Sequence, residues 1–274
     1  MPAENVNRRE AFKQRRRTWE FELITLFIRT HWTCGNTRPR IIEFGCSPAT
    51  GAQQMSKIGD LVVSDIYQDH RLQLPPGVRF VLCDIQNAPF KDGEFDLIVS
   101  NQVIEHIADL DAAFSEIRRM ACRDALFAFS VSTAAWLIVS IPGQIWRKAE
   151  NLHARLAFKR KKVDGNPEGA DGPPSGCSAS PRWWQKWALH GHGCYPGFGE
   201  CLVAFRVKRW REGLRARGFT AVKECPLLSY GSSHMSLIPT DRVLARLGRA
   251  SSYLFLAHAE PQEERVRRVP RSRC

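Results

Sequence analysis

The sequence predicts an α/β protein with a seven-stranded, mostly parallel sheet, helices on both faces, and a helical and loop insert after the fifth strand. Short apolar runs alternate with helical patterns from residue 40 onwards, which is typical of a parallel sheet. The first runs end on small residues or acids, as strands do at a ligand-binding edge. The 274 residues are 43% hydrophobic, enough for a sizeable core.

Hydrophobic periodicity predicts the elements in chain order. A helix over 8–33 has an apolar stripe at Trp19, Leu23, Leu26 and Phe27. Five strands are predicted at Arg40–Phe44, Leu61–Ser64, Val78–Cys83, Phe95–Ser100 and Ala125–Val131, with a helix over Leu110–Met120 before the fifth. A helix over 204–217 and strands at Thr220–Cys225 and Ser252–His258 complete the sheet.

The formal net charge of +12 is concentrated in three segments. Residues 1–17, 147–162 and 261–274 carry +4, +6 and +3, so the rest of the chain is close to neutral. A neutral body lacks the basic face of a nucleic-acid-binding domain, and nucleic acid is therefore not the expected partner. The basic segments favour an anionic membrane surface instead.

The uncharged run Ala125–Trp146 has the length of a membrane span, but serines, a proline and a glycine interrupt it. We interpret it as a core strand followed by an apolar helix. Trp136 and Trp146 bound that helix beside the basic segment, a pattern typical of helices in a membrane interface; a cap over the active site is the alternative. Nine cysteines without a CxxC pair, and no secretory signal, predict a cytoplasmic protein. The apolar helix beside the basic segment adds association with a membrane as an open alternative.

Three acids end or follow consecutive predicted strands. Glu43 precedes a turn of small residues, Asp65 ends the second strand and Asp84 ends the third. Small residues let a ligand approach the backbone, an acid after the second strand can accept both ribose hydroxyls, and a third acceptor can take the amine of a base. Each acid alone could be a helix cap or turn residue, but the set predicts a nucleotide site.

The segments EFGCSPATG, LVVSDI and CDIQNAPFKDGEFDLIVSNQVIEHI resemble class I S-adenosylmethionine-dependent methyltransferases, most closely the methyltransferase type 11 group. The resemblance implies a Rossmann-like fold, with S-adenosyl-L-methionine as cofactor. It places Glu43 near the amino-acid end of the cofactor. It implies that the turn packs under the methionine part, that Asp65 binds the ribose, that Asp84 and Ile85 hold the adenine and that Asn101 lies beside the sulfonium. The complete implied set is Glu43, Phe44, Gly45, Cys46, Ser47, Ala49, Asp65, Ile66, Asp84, Ile85 and Asn101.

Methyl transfer to an oxygen also needs a general base. Glu105 and His106 follow the fourth strand, and His192 lies in an HGHGC segment, so these three are the candidate catalytic residues. His106 could equally order a loop. The HGHGC segment with Cys201 does not have a common zinc spacing, so it is interpreted as a lid loop and no metal is expected.

We predict one domain over 1–274. Its parts are an N-terminal helix at 1–39, a cofactor-binding half at 40–133, a substrate cap at 134–203 with a mobile loop at 164–181, a C-terminal half at 204–260 and a basic tail at 261–274.

The expected activity is O-methylation of a small or lipid-linked acceptor, of glycan or isoprenoid type, at a membrane surface. The fourth strand ends in SNQV, without the tetrad expected for methylation of base amines, which favours oxygen. One alternative is an RNA methyltransferase that uses the basic ends. Another is a decayed cofactor-binding protein, since Ser47 and Ala49 replace two of the family's turn glycines.

Overall fold

The computed structural model describes residues 2–138, 140–141, 144–146, 148–149, 153, 194–195, 197–227 and 250–259. Within these residues seven strands form one sheet: β1 Arg40–Phe44, β2 Asp60–Asp65, β3 Arg79–Leu82, β4 Phe95–Asn101, β5 Ala121–Ser132, β6 Phe219–Pro226 and β7 Ser252–Ala259. Their order is β3-β2-β1-β4-β5-β7-β6, with β7 antiparallel to both neighbours. The predicted seven-stranded, mostly parallel sheet is confirmed.

Helices cover both faces of this sheet. They are α1 Pro2–His31, α2 Ala52–Met55, α3 Leu110–Met120, α4 Phe198–Ala204 and α5 Val207–Ala216, with a 3₁₀ turn at Ile104–His106 and helical backbone at 134–138. On one face, α1 and α2 bury Phe21, Ile28 and Met55. On the other, α3 and α5 bury Phe114 and Trp210. The predicted two-sided arrangement is confirmed.

The N-terminal helix differs from the prediction in extent and in the centre of its buried face. It begins at Pro2 and buries Phe21, Ile24 and Ile28, which recur at helical spacing. Three of the four predicted stripe residues, Trp19, Leu23 and Phe27, are partly buried and pack against the same core. The fourth, Leu26, is 62% exposed.

The predicted helix over 204–217 is α5, which begins at Val207 rather than at residue 204. A separate helix that was not predicted, α4, precedes it and ends at Ala204. Between the two, Phe205 is fully buried beside Leu137 and Cys201, and the backbone of Arg206 is extended.

The run interpreted as a strand and a helix has that structure where it is described. Residues 125–132 are buried in β5, and helical backbone follows at 134–138. In the described part of the chain, every helix is too short or too polar to cross a membrane. The predicted loop at 164–181 and tail at 261–274 lie outside the described residues.

Sheet topology brings polar residues from distant parts of the sequence to one edge. The parallel strands end together there, β2 on Asp65, β4 on Asn101 and β5 on Ser132. Because β7 runs the opposite way, its first residue, Ser252, pairs with Ser132 at the same edge. Ligands bind beyond this edge in open α/β sheets.

Candidate functional site

A cavity of about 680 Å³ lies at the carboxyl edge of the parallel strands. Its wall comes from the ends of β1, β2, β4 and β5, from the loop after β3, and from α1. Because neighbouring strands are about 4.8 Å apart, the five positions from β3 to β5 span roughly 19 Å. The cavity can therefore hold an elongated ligand and a second molecule side by side.

Ten of the eleven predicted cofactor residues line this cavity. They are Glu43, Phe44, Gly45, Cys46, Ser47, Asp65, Ile66, Asp84, Ile85 and Asn101. Ala49 is absent from the wall, because it is buried in the core beneath α1 with Ala52. The structure thus brings the three predicted acids together and places Ala49 behind the turn.

The turn after β1 is fixed by backbone requirements. Gly45 has a φ of +72°, and a side chain there would place its Cβ 2.1 Å from Val103 Cγ2. The Ser47 N–H donates to Asp65 Oδ2 at 3.0 Å, so β2 holds the turn. Ala49 has a φ of +63°, a conformation that favours glycine. The turn keeps a glycine-like backbone although Ser47 and Ala49 stand in it.

Glu43 lies at the floor of the cavity, and its side chain is almost completely buried. Burial and the nearby charge of Asp65 raise the pKa of Glu43 to about 8. Glu43 Oε2 has no hydrogen-bond partner among the described residues. A buried acceptor of this kind is suited to a ligand that brings a positive charge or a donor.

The end of the cavity at β2 and β3 combines acids with apolar surface. Asp65 is 8% exposed, whereas Asp84 is exposed and accepts hydrogen bonds from the Gln86 backbone and side chain at 2.9–3.1 Å. Ile66 and Tyr67 are largely exposed and also line the wall. Acceptors beside exposed apolar side chains form a suitable place for a nucleoside.

The opposite end, at β4, β5 and β7, is a hydrogen-bonded network. Gln102 donates to Ser252 Oγ at 2.8 Å and accepts from Ser132 Oγ at 2.6 Å. Ser252 Oγ in turn donates to Glu20 Oε1 of α1 at 2.8 Å. Ser130 Oγ donates to Asn101 Oδ1. The predicted Asn101 therefore belongs to a network whose other members were not predicted.

Of the candidate bases, His106 lines the cavity and Glu105 does not. Burial lowers the pKa of His106, so its imidazole is largely neutral near pH 7 and can accept a proton. Glu105 is 2% exposed and accepts a hydrogen bond from the Ser132 N–H, and burial raises its pKa to about 7. The structure places Glu105 behind the wall, where it holds the end of β5.

His192 and the neighbouring His190 lie outside the described residues. Of the same segment, Cys194 Sγ donates to the His106 carbonyl at 2.9 Å, and Cys201 is buried beside Leu137 and Phe205. Within the described ranges, His, Cys, Asp and Glu form no group of three suited to a metal ion. The backbone of the turn that carries His106 is thus in contact with the end of the insert.

Some wall residues were not predicted, among them Arg17, Glu20 and Phe21 of α1 and Gln102 after β4. Trp136, which bounds the helix interpreted as an interfacial helix or a cap over the active site, also lines the cavity. Glu20 carries a detectable signal, since it is an acid between Trp19 and Phe21 on an apolar stretch. No sequence pattern marks Gln102, because its hydrogen-bond partners, Ser132 and Ser252, lie far along the chain.

Residues 42–129 match the model of a methyltransferase domain family. A malonyl-[acyl-carrier protein] O-methyltransferase of Geobacter sulfurreducens is 42% identical over 50 residues, which are 18% of this chain and 19% of that protein. A 37.1 kDa protein in transposon TN4556 of Streptomyces fradiae is 30% identical over 89 residues, 29% of this chain and 26% of that protein. The match spans about a fifth to a quarter of the length of these relatives.

The fold is similar to that of the Burkholderia thailandensis 1,6-didemethyltoxoflavin-N1-methyltransferase, whose crystal structure holds 1,6-didemethyltoxoflavin and S-adenosylhomocysteine. The TM-score is 0.51 over 95% of this chain and 91% of that chain, at 15% sequence identity. At this identity the likeness shows a common fold.

Proposed function

Because residues 42–129 match the model of a methyltransferase domain family, we propose that the protein is an S-adenosylmethionine-dependent methyltransferase that methylates an oxygen of a small or lipid-linked acceptor. The observation that carries this proposal is the convergence of Glu43, Asp65 and Asp84 on one cavity from three neighbouring strand ends. The residues also fit the cofactor, since Glu43 offers a buried acceptor without a partner among the described residues.

Each of the three acids along the edge of the sheet is proposed to bind a different part of the cofactor. Glu43 would hold the amino-acid end of S-adenosylmethionine, Asp65 the ribose and Asp84 the base. Bound there, the cofactor supplies a methyl group on a positively charged sulfur. The protein then has to hold the acceptor in line with that methyl group, which is chiefly a matter of positioning.

His106 is the proposed general base for an acceptor hydroxyl. It lines the cavity, and its lowered pKa leaves the imidazole ready to take a proton near pH 7. Oxygen is also the atom named for the Geobacter relative, whereas the Burkholderia enzyme is named for a nitrogen. Of the candidate bases that the structure describes, His106 is the one that lines the cavity.

Binding of S-adenosylhomocysteine, measured by isothermal titration calorimetry, tests the cofactor site. Asp65→Ala should abolish binding, because it removes a wall carboxylate and the acceptor of the Ser47 N–H. Asp60→Ala is the matched control, because Asp60 is exposed at the other end of the same strand. No binding to the folded wild-type protein at high micromolar ligand would refute the enzyme and support a decayed cofactor site.

We also propose that the acceptor is presented at an anionic membrane surface. On the helical segment after β5, Leu137, Ser140 and Gln144 are buried, whereas Ile138, Ile145 and Trp146 are each more than half exposed. The basic segment 147–162 follows this apolar surface directly. Apolar residues with a Trp beside Lys and Arg are typical of interfacial helices.

Co-sedimentation with vesicles tests the membrane proposal. Wild-type protein should bind vesicles containing phosphatidylserine and not vesicles of phosphatidylcholine alone. Trp146→Ser should weaken binding several-fold, and Leu26→Ser, at an equally exposed position of α1, should not. Equal sedimentation of both variants and of wild type would refute it; steeply salt-dependent binding to RNA would support the RNA methyltransferase instead.

A further inference from the structure

Three hydrogen-bond donors from two separate parts of the chain meet at the turn after β1. Arg17 of α1 lines the cavity there, together with Ser47 and Thr50 of the turn. The Arg17 guanidinium donates to the Ser47 carbonyl at 3.5 Å, so α1 contacts the turn at this point. We call Arg17, Ser47 and Thr50 the turn donor set.

The two hydroxyl groups of the turn donor set are buried without a partner. Neither Ser47 Oγ nor Thr50 Oγ1 has a hydrogen-bond partner among the described residues. A buried hydroxyl that stays unpaired is destabilising, so native proteins usually satisfy it. Rotation about a single side-chain bond redirects each hydroxyl, and both residues line the cavity. An anionic oxygen of a ligand in the cavity is therefore a suitable acceptor for both.

Arg17 supplies the positive charge that the hydroxyls lack. A guanidinium carries five N–H donors and stays protonated in proteins. One of these donors reaches the Ser47 carbonyl, and within the described part of the chain Arg17 forms no ion pair. Arg17 is also the single Lys or Arg among the described wall residues, which include the acids Glu43, Asp65 and Asp84. A ligand carboxylate therefore finds at Arg17 the described guanidinium that offsets these acids.

Ser47 is a position at which this chain departs from the glycine turn of the family that it resembles. A glycine there would offer its backbone N–H alone, and in this structure that N–H donates to Asp65 Oδ2. The serine hydroxyl adds a second donor to the turn. The departure from glycine thus supplies a group that can bind an anion.

We propose that the turn donor set is the subsite for the carboxylate at the amino-acid end of the cofactor. Glu43 takes the ammonium group of that end, and Arg17 takes the carboxylate together with the hydroxyls of Ser47 and Thr50. Arg17 contributes most, because charge-assisted hydrogen bonds are about twice as strong as neutral ones. This inference rests on the proposed function and deepens it, since it divides recognition of the zwitterion between two groups.

Two ligands that differ only in the carboxylate test this assignment. One is S-adenosylhomocysteine, and the other is its decarboxylated analogue, in which a hydrogen replaces the carboxylate and the amine is kept. Isothermal titration calorimetry measures both affinities. Wild type should bind S-adenosylhomocysteine at least about tenfold more tightly than the analogue. Equal affinities overturn the proposal.

Arg17→Gln removes the charge at an exposed position, and thermal unfolding verifies that the variant is folded. It should weaken binding of S-adenosylhomocysteine about tenfold and change the affinity for the analogue less than about twofold. Arg15→Gln, at another exposed arginine of α1, is the matched control and should change neither affinity. Equal weakening of both ligands by Arg17→Gln overturns the proposal.

Ser47→Gly and Thr50→Val remove the hydroxyls one at a time. Ser47→Gly keeps the N–H that donates to Asp65, and Thr50→Val keeps a branched side chain. Each variant should weaken binding of S-adenosylhomocysteine about threefold and leave the affinity for the analogue unchanged. An unchanged affinity for S-adenosylhomocysteine in both variants contradicts the shared subsite.

Failure of the proposed function gives a different result. If folded wild type binds neither ligand, the cofactor site is refuted, and the subsite with it. If wild type binds both ligands and Arg17→Gln affects them alike, the subsite alone is wrong.

Discussion

Cofactor affinity should depend steeply on pH through Glu43. Burial and the charge of Asp65 raise the pKa of Glu43 to about 8, so the ligand-free protein holds Glu43 largely protonated at neutral pH. A cationic ligand end beside Glu43 favours the ionised form, and binding therefore releases a proton. With a pKa of about 8, the ionised fraction is about 1% at pH 6 and about 24% at pH 7.5.

The expected result is a gain in S-adenosylhomocysteine affinity of about 20-fold between pH 6 and pH 7.5. Calorimetry in two buffers of different ionisation enthalpy measures both the affinity and the proton released. Glu43→Gln should bind more weakly than wild type at pH 7.5 and should lose most of the pH dependence. Glu105, whose pKa is raised to about 7 by burial, also titrates in this range, and the Glu43→Gln variant separates its contribution.

The raised pKa of Glu43 also predicts how the stability of the ligand-free protein changes with pH. Because the folded-state pKa of Glu43 is raised, its contribution to stability is fully present below pH 4.5 and is lost as the pH rises to about 8. Ligand-free Glu43→Gln should therefore unfold at a higher temperature than wild type at pH 8. A wild-type affinity that is flat from pH 6 to 7.5, or equal pH slopes in both proteins, would refute the reasoning.

Three further predictions concern the scaffold of the site. Gly51→Ala would place a Cβ 2.3 Å from the Phe21 ring and should cost about 1–3 kcal/mol in urea unfolding, whereas Gly35→Ala, with open space around it, should not. Arg119→Met removes donors to the Ala88 and Phe90 carbonyls and should lower the free energy of unfolding by about 2–3 kcal/mol; the exposed Arg123→Met is its control. Phe129→Ala should cost about 3–5 kcal/mol by thermal and urea unfolding, and a loss under 1 kcal/mol would contradict its central packing.

Local patterns were sufficient to predict the strands and the acids. Strands β1, β2 and β4 are continuous apolar runs because parallel strands are buried on both faces, and Glu43 and Asp65 lie where β1 and β2 end. Asp65 and Glu43 could therefore be assigned to one edge from the chain order alone. The position of Ala49 could not, because a positive φ turned it into the core, away from the ligand.

The hydrogen-bonded network at the ends of β4, β5 and β7 could not be predicted from the sequence, for a different reason. Gln102 and Ser252 are 150 positions apart, and their hydrogen bond exists because β7 enters the sheet antiparallel beside β5. Glu20 is recognisable in the sequence as an acid on an apolar stretch, but whether it faces the cavity depends on the rotation of α1 about its axis, which is decided by packing against the sheet. Exposed apolar residues such as Leu26 also lie on α1, so the hydrophobic periodicity of this helix does not identify a single buried face.

The hydrogen bond from Ser252 to Glu20 joins residues 232 positions apart. During synthesis the strands β1 to β5 can pair as they emerge, but the edge of β5 stays open until β7 arrives. The wall residues from β1 to β5 are therefore present on the nascent chain before the end of the cavity at β5 has its last strand. A product interrupted between β6 and β7 would carry Glu43, Asp65 and Asp84 without Ser252, the residue that donates to Glu20 of α1.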